Sequence, residues 1–191
     1  MRIPKSVIRD IERKSQKVKK KDYQKAFKER FDKLKKEMIE EFLSHPVTLE
    51  ILSGPSGQNI SGTLGGRANL FAFIGFNSTE KPIEPIVEIL EKISYSDAGE
   101  SRQGRKFNVL FPTSEDIFIA TPMPWASGRS WAKGIESGIS GIGYLLNKST
   151  LSSRSGVAIQ AEKKVRNLRF KRLSYISALL NKYKKKFKDL T

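Results

Sequence analysis

The chain has 191 residues, 38% of them hydrophobic, with no cysteine, a single histidine and a formal charge of +16. That length supports one domain with an ordinary core, and the inventory excludes a disulfide scaffold and thiolate zinc sites. No apolar run reaches the roughly 20 residues that span a bilayer, and the opening MRIPKSVIRDIERKSQ lacks the apolar core of a secretory signal, so a soluble protein made in a cytoplasm is expected.

The charge is unevenly placed. Residues 1–42 carry 15 Lys/Arg against 8 Asp/Glu, residues 43–156 carry 10 of each, and residues 157–191 carry 11 against 2. A neutral centre with basic ends favours a polyanion or an acidic protein surface as partner. Solvated helix faces are the plainer reading of the same imbalance.

In chain order, residues 1–20 form a basic N-terminal segment that admits either a helix or a mobile arm. From Lys21 the pattern sharpens: Tyr23, Phe27, Phe31, Leu34, Met38 and Phe42 are spaced 4, 4, 3, 4, 4, one stripe of an amphipathic helix. The spacing predicts a helix from about 6, and at least from 21, to 43. SHP ends it, because the residue before proline is pushed out of the α region. VTLEIL (47–52) alternates and is rich in β-branched residues, so it reads as a strand. SGPSGQNISGTLGG reads as a loop, and NLFAFIGF (69–76) as a buried strand.

PIEPIVEILEKIS places Ile83, Ile86, Val87, Leu90 and Ile93 at helical spacing behind a proline tolerated at the start. YSDAGESRQGR reads as a polar loop. KFNVLF and DIFIATPM flank PTSE and read as a β-hairpin. Segment 123–156 holds both tryptophans and six glycines. Trp131, Ile135, Ile139, Ile142 and Leu146 could mark a helical stripe, but each internal glycine costs about 0.5 to 1 kcal/mol, so a short helix followed by a loop is expected. From 157 to 191 a basic helix is expected, with Val165, Leu168, Ile176, Leu179, Leu180, Tyr183 and Phe187 on its apolar face. The sum is a single α+β domain over 1–191: a small, mainly antiparallel sheet packed by a long N-terminal helix, one short central helix and a long basic C-terminal helix.

The chemistry is sparse. GPSGQNISG lacks the GK[ST] of a phosphate loop, and its glycines precede rather than follow the expected strand, so no nucleotide or other cofactor is expected. His45 is the only candidate for a catalytic histidine, no G-x-S-x-G elbow occurs, and a Ser-Lys dyad is unmarked. With no cysteine and one histidine, a metal site would need oxygen ligands alone, and no calcium-loop spacing is present. No catalytic or metal residue is therefore assigned, and no small-molecule substrate or membrane contact is expected. Two binding readings remain. Basic terminal helices suit a phosphate backbone, though no nucleic-acid-binding signature accompanies them. Alternatively, Trp125, Arg129, Trp131, Ile135 and Tyr144 form an aromatic, glycine-rich interface segment; packing in the domain's own core is the plainer account of the tryptophans. Glu84, Glu88 and Glu91 share an exposed helix face that could pair with a basic neighbour, and Arg166, Arg169 and Arg172 line the C-terminal segment.

SGTLGGRANLFAFIGF, after a long N-terminal helix, resembles the "TG-L" loop and apolar strand of the neck and tail-completion proteins of tailed bacteriophages, a group that includes tail terminators and head–tail connectors. IFIATPMPWASGRSWAKGIESGI, followed by residues 157–189, is similar to their later strand, aromatic-glycine-glutamate stretch and final helix. The likeness spans most of the chain by order of elements and two short patches by residue. It implies a non-enzymatic virion protein made in the host cytoplasm, forming a homo-oligomeric ring that joins adjacent virion proteins and can meet DNA in its channel.

Overall fold

The structure is a computed structural model that describes residues 5–64, 69–101, 104–124, 126–138 and 172–190. Its spine is α1 (Lys5–Ser44). Phe27, Phe31, Met38 and Phe42 of the expected stripe are buried and Leu34 is half-buried. Tyr23 is 53% exposed, so burial begins one turn later than the spacing suggested.

His45 breaks the helix with an extended backbone and Pro46 restarts one, α2 (Pro46–Leu52). The expected strand at 47–52 is thus a helix. Proline at the first position presets φ, and His45 Nδ1 caps the turn by accepting from the Val47 amide at 3.2 Å. Val47 and Ile51, four apart, bury one face. The expected strand at 69–76 is likewise α3 (Leu70–Ile74), whose five residues are all buried. Asn69 caps it by accepting from the Ala72 amide at 2.8 Å, and Gly75 stops it in the left-handed region at φ 89°.

The helix expected near residues 83–93 is α4 (Glu84–Glu91), with Ile83, Ile86, Leu90 and Ile93 buried. The expected polar loop that follows is instead β1 (Ser94–Ser101), which pairs antiparallel with β2 (Gly104–Leu110). One face of this hairpin is apolar: Tyr95 lies opposite Val109, and Phe107 stacks on Phe27 at 4.0 Å. The register slips between Asp97 and Gly99, where Gly99 takes φ +95° in a bulge.

The segment DIFIATPM does not pair with β2. Thr113 and Asp116 form a reciprocal capping box that opens α5 (Ser114–Ile119). A small second ribbon follows, β3 (Pro122–Met123) with β4 (Ala126–Ser130), and then α6 (Trp131–Ser137), capped by Ser130. Residues 172–175 are described and not helical, so the described part of the helix expected over 157–191 begins only at α7 (Ile176–Lys188), with Tyr175 as its N-cap. The helix expected over 157–171 lies outside the described residues. The fold class is α+β, as expected, with two separate antiparallel pairs in place of one sheet.

α7 lies antiparallel on α1. Tyr175 meets Thr48 through their hydroxyls at 2.8 Å, Lys182 meets Glu41 at 2.7 Å, Lys186 meets Glu37 at 4.0 Å, and the Phe187 ring meets Phe31 at 5.2 Å. The C-terminus of α7 therefore ends beside the point where α1 leaves the core. From Arg13 to Ala26, every described α1 side chain is exposed except Gln24, which is intermediate.

Candidate functional site

The glycine-rich loop is a wired scaffold. Glu50 on α2 is fully buried, and its carboxylate accepts from Asn59 Nδ2 at 2.8 Å, the Ser61 amide at 2.7 Å and the Leu70 amide at 2.7 Å. Asn69 donates to the carbonyls of Gly54, Pro55 and Gly57 at 2.9, 3.0 and 2.8 Å. Two buried polar side chains thus hold both arms of the loop. Polar groups out of water need such partners.

Among the described residues, no group of three or more His, Cys, Asp or Glu is placed to hold a metal ion. No described helix is long and apolar enough to cross a membrane. His45 faces Tyr175 at 4.9 Å between ring centres. Burial pulls its pKa below the usual 6.5, against a backbone hydrogen bond to Ser174 and the charge of Glu41. Its capping role requires an unprotonated Nδ1. Stability from this group is therefore present above pH about 6.5 and is lost as pH falls through the lower folded value. A urea midpoint that drops between pH 7.5 and 5.5 is expected in the wild type. His45→Asn, a neutral cap, should remove that part of the drop; an identical pH dependence would sink the assignment.

The candidate interface residues separate. Trp131 is 1% exposed and Ile135 0%, so neither offers a surface: they are core residues, with the Phe76 ring edge-on to Trp131 at 5.8 Å. Arg129 is exposed on β4 and Arg172 is exposed just before α7. Trp125, Tyr144, Arg166 and Arg169 lie outside the described residues. Arg129 and Lys133 also line an open cavity of about 330 Å³ with Met123, Ser130 and Ser137, but Lys133 is directed to Glu115 at 3.8 Å.

Glu84, Glu88 and Glu91 are exposed on one side of α4, as their spacing indicates. Lys81 answers Glu84 at 2.7 Å and Lys92 answers Glu88 at 3.8 Å. Exposed pairs of this kind contribute little, so these carboxylates stay open to exchange partners.

No protein-family model, curated protein or solved structure matches this chain.

The most conspicuous surface is cationic. The exposed arm of α1 carries Arg9, Arg13, Lys14, Lys17, Lys19, Lys20 and Lys21. Arg13 pairs with Asp10 at 3.5 Å, and both are largely exposed. Lys184 and Lys185 are exposed near the end of α7, which runs toward the foot of the arm. Sequence reasoning found both basic ends but missed that one runs toward the other, because the antiparallel packing of α7 on α1 joins residues some 150 positions apart. At the foot of the arm, Gln24 donates to Asp97 at 3.0 Å and Arg105 clasps the same carboxylate. The Arg105 hydrogen bond, helped by the Gly99 amide, holds the Asp97 carboxyl down at about 2.

Proposed function

We propose that this chain is a non-enzymatic structural protein of a tailed-phage particle, a ring-forming neck or tail-completion component that joins neighbouring subunits and adjacent rings. One observation carries the reading. α1 is the spine of the core from Phe27 onward, yet it continues for about six turns on the N-terminal side. Short helices gain most of their stability from tertiary packing, and an arm that leaves its own domain is placed to find that packing on a neighbour. Val18 at 59% exposure and Tyr23 at 53% give it apolar contact points. The resemblance of SGTLGGRANLFAFIGF and the tryptophan-containing segment supplies the particle, although residues 70–74 are helical where that family would place a strand.

A head-to-tail ring needs two different complementary patches on each copy. The basic arm and the carboxylates of Glu84, Glu88 and Glu91 are such a pair. Light scattering on nuclease-treated protein, at low and high salt, is expected to give a discrete oligomer. The triple reversal Glu84→Lys, Glu88→Lys, Glu91→Lys is expected to weaken it at least tenfold while leaving the monomer folded. Unchanged assembly in that variant would remove the pairing. A monomer at every concentration, with nucleic acid that salt strips away, would replace the ring reading.

A further inference from the structure

The packing of α7 on α1 points the basic C-terminal helix toward the basic arm, and we propose that the arm, backed by α7, forms a surface for duplex nucleic acid, reading the phosphate backbone rather than base sequence. α7 runs back along α1 until Phe187 meets Phe31, with Lys186 beside Glu37, so Lys184 and Lys185 lie about three turns of α1 behind the root of the arm. From Arg9 to Lys25 the arm is about 24 Å long at 1.5 Å per residue, the length of roughly seven base pairs. A helix places successive residues 100° apart. Lys14, Lys17 and Lys21 therefore follow one flank, Lys19 stands opposite, and Arg9 and Lys20 lie between, all exposed. Cations span more than half of the circumference, with Asp10 among them, and only the narrow strip of Ser15 and Asp22 carries no positive charge.

That distribution suits a helix laid in or along a groove. The major groove admits an α-helix between two ridges of phosphate, and cations on both flanks would meet both ridges. An acidic protein would have to bring carboxylates spaced around the same arc. A duplex supplies one negative charge per about 1.7 Å of axis without further design. The lysines that close α7 also face the negative end of that helix's dipole, which favours holding them in place before any ligand arrives. Nothing in the surface points to base readout: most of its cations are lysines, which meet phosphate as point charges.

The inference does not rest on the ring but competes with it for the same arm, so a duplex should displace a neighbour's Glu84, Glu88 and Glu91, and its affinity is read on protein diluted until light scattering gives the monomer. The test is fluorescence anisotropy with a labelled 20-base-pair duplex of arbitrary sequence, across a salt series. Each phosphate contact contributes a slope of about −0.9 in log affinity against log salt. Replacing Lys14, Lys17 and Lys21 by alanine should flatten the slope by about 3 and weaken binding at least tenfold at 0.1 M salt. These side chains touch no core residue, and circular dichroism should show an unchanged fold. Lys184→Ala with Lys185→Ala should flatten the slope by about 2, and the two sets should add. Lys133→Ala, near the opposite end of α7, should change nothing. A full slope in the arm variant, or equally tight binding of polyglutamate, would overturn the proposal.

Discussion

Trp131→Ala is expected to destabilise the protein by about 3–5 kcal/mol, the usual cost of emptying a large aromatic site in a core. Trp131 is 1% exposed, meets the edge of Phe76, and has Tyr175 6.5 Å away. Its backbone amide donates to the Thr121 carbonyl at 2.9 Å, tying α6 to the turn after α5. The cavity left by alanine would therefore loosen α6 and the start of α7 together. Glu136 on α6 couples the same two elements, accepting from both the amide and the hydroxyl of Ser177 at 2.6 Å. Urea denaturation reads the loss directly, and Trp131→Phe should recover about half of it by refilling most of the volume. Had this side chain been an interface anchor, alanine would leave the monomer's stability within about 0.5 kcal/mol of wild type, as surface substitutions do, and would weaken only the assembly.

The contrast between those outcomes shows what the sequence makes legible. The 4, 4, 3, 4, 4 stripe of α1 is long enough to fix both element and face, and α4 follows from the same 3.6-residue period, whereas that period carried the C-terminal helix across residues 172–175, which are not helical ahead of α7. Trp131 and Ile135 also sit at helical spacing, but spacing says which residues share a face, not what covers it. Phe76 and Tyr175 cover it, and neither is near in sequence. The short elements were misread for a different reason. In six residues, VTLEIL satisfies both an alternating and a helical pattern, and the deciding signal is Pro46 with its cap. An unbroken apolar run such as LFAFI has no period at all, and there Asn69 and Gly75 decide. PTSE reads as the connection of a hairpin until Thr113 and Asp116 are recognised as a capping box. β1 is not legible because it offers a single apolar residue, Tyr95, to the core, and Asp97 on the same face is exposed, where it meets Gln24 and Arg105. In the candidate site, the charge of each end was legible and the packing that points one toward the other was not.

Glu50→Ala is the second substitution expected to have a large effect, about 3–4 kcal/mol, because it strands buried donors that the carboxylate now satisfies. The Ser61 and Leu70 amides would each lose a charged acceptor at 2.7 Å, and Asn59 would lose one at 2.8 Å. The consequence should be local before it is global. Hydrogen exchange at Ser61 and Leu70 should accelerate more than at Met38 or Phe42 in α1, since the loop and the first turn of α3 would open as a unit. Glu50→Gln separates charge from shape. Its amide keeps one acceptor oxygen and turns an NH2 toward a backbone N–H, so it should recover less than half of the loss; full recovery would mean that the carboxylate's second oxygen and its charge are irrelevant. The same geometry decides what the glycine-rich loop is for. A phosphate-binding loop leaves its backbone amides free to meet an incoming anion. Here the Ser61 and Leu70 amides are already committed to an internal carboxylate, and Asn69 holds three of the loop's carbonyls. Glu50 thus fills the described part of the loop from within, and Gly54, Gly57 and Gly62 serve the path of the chain around a buried side chain.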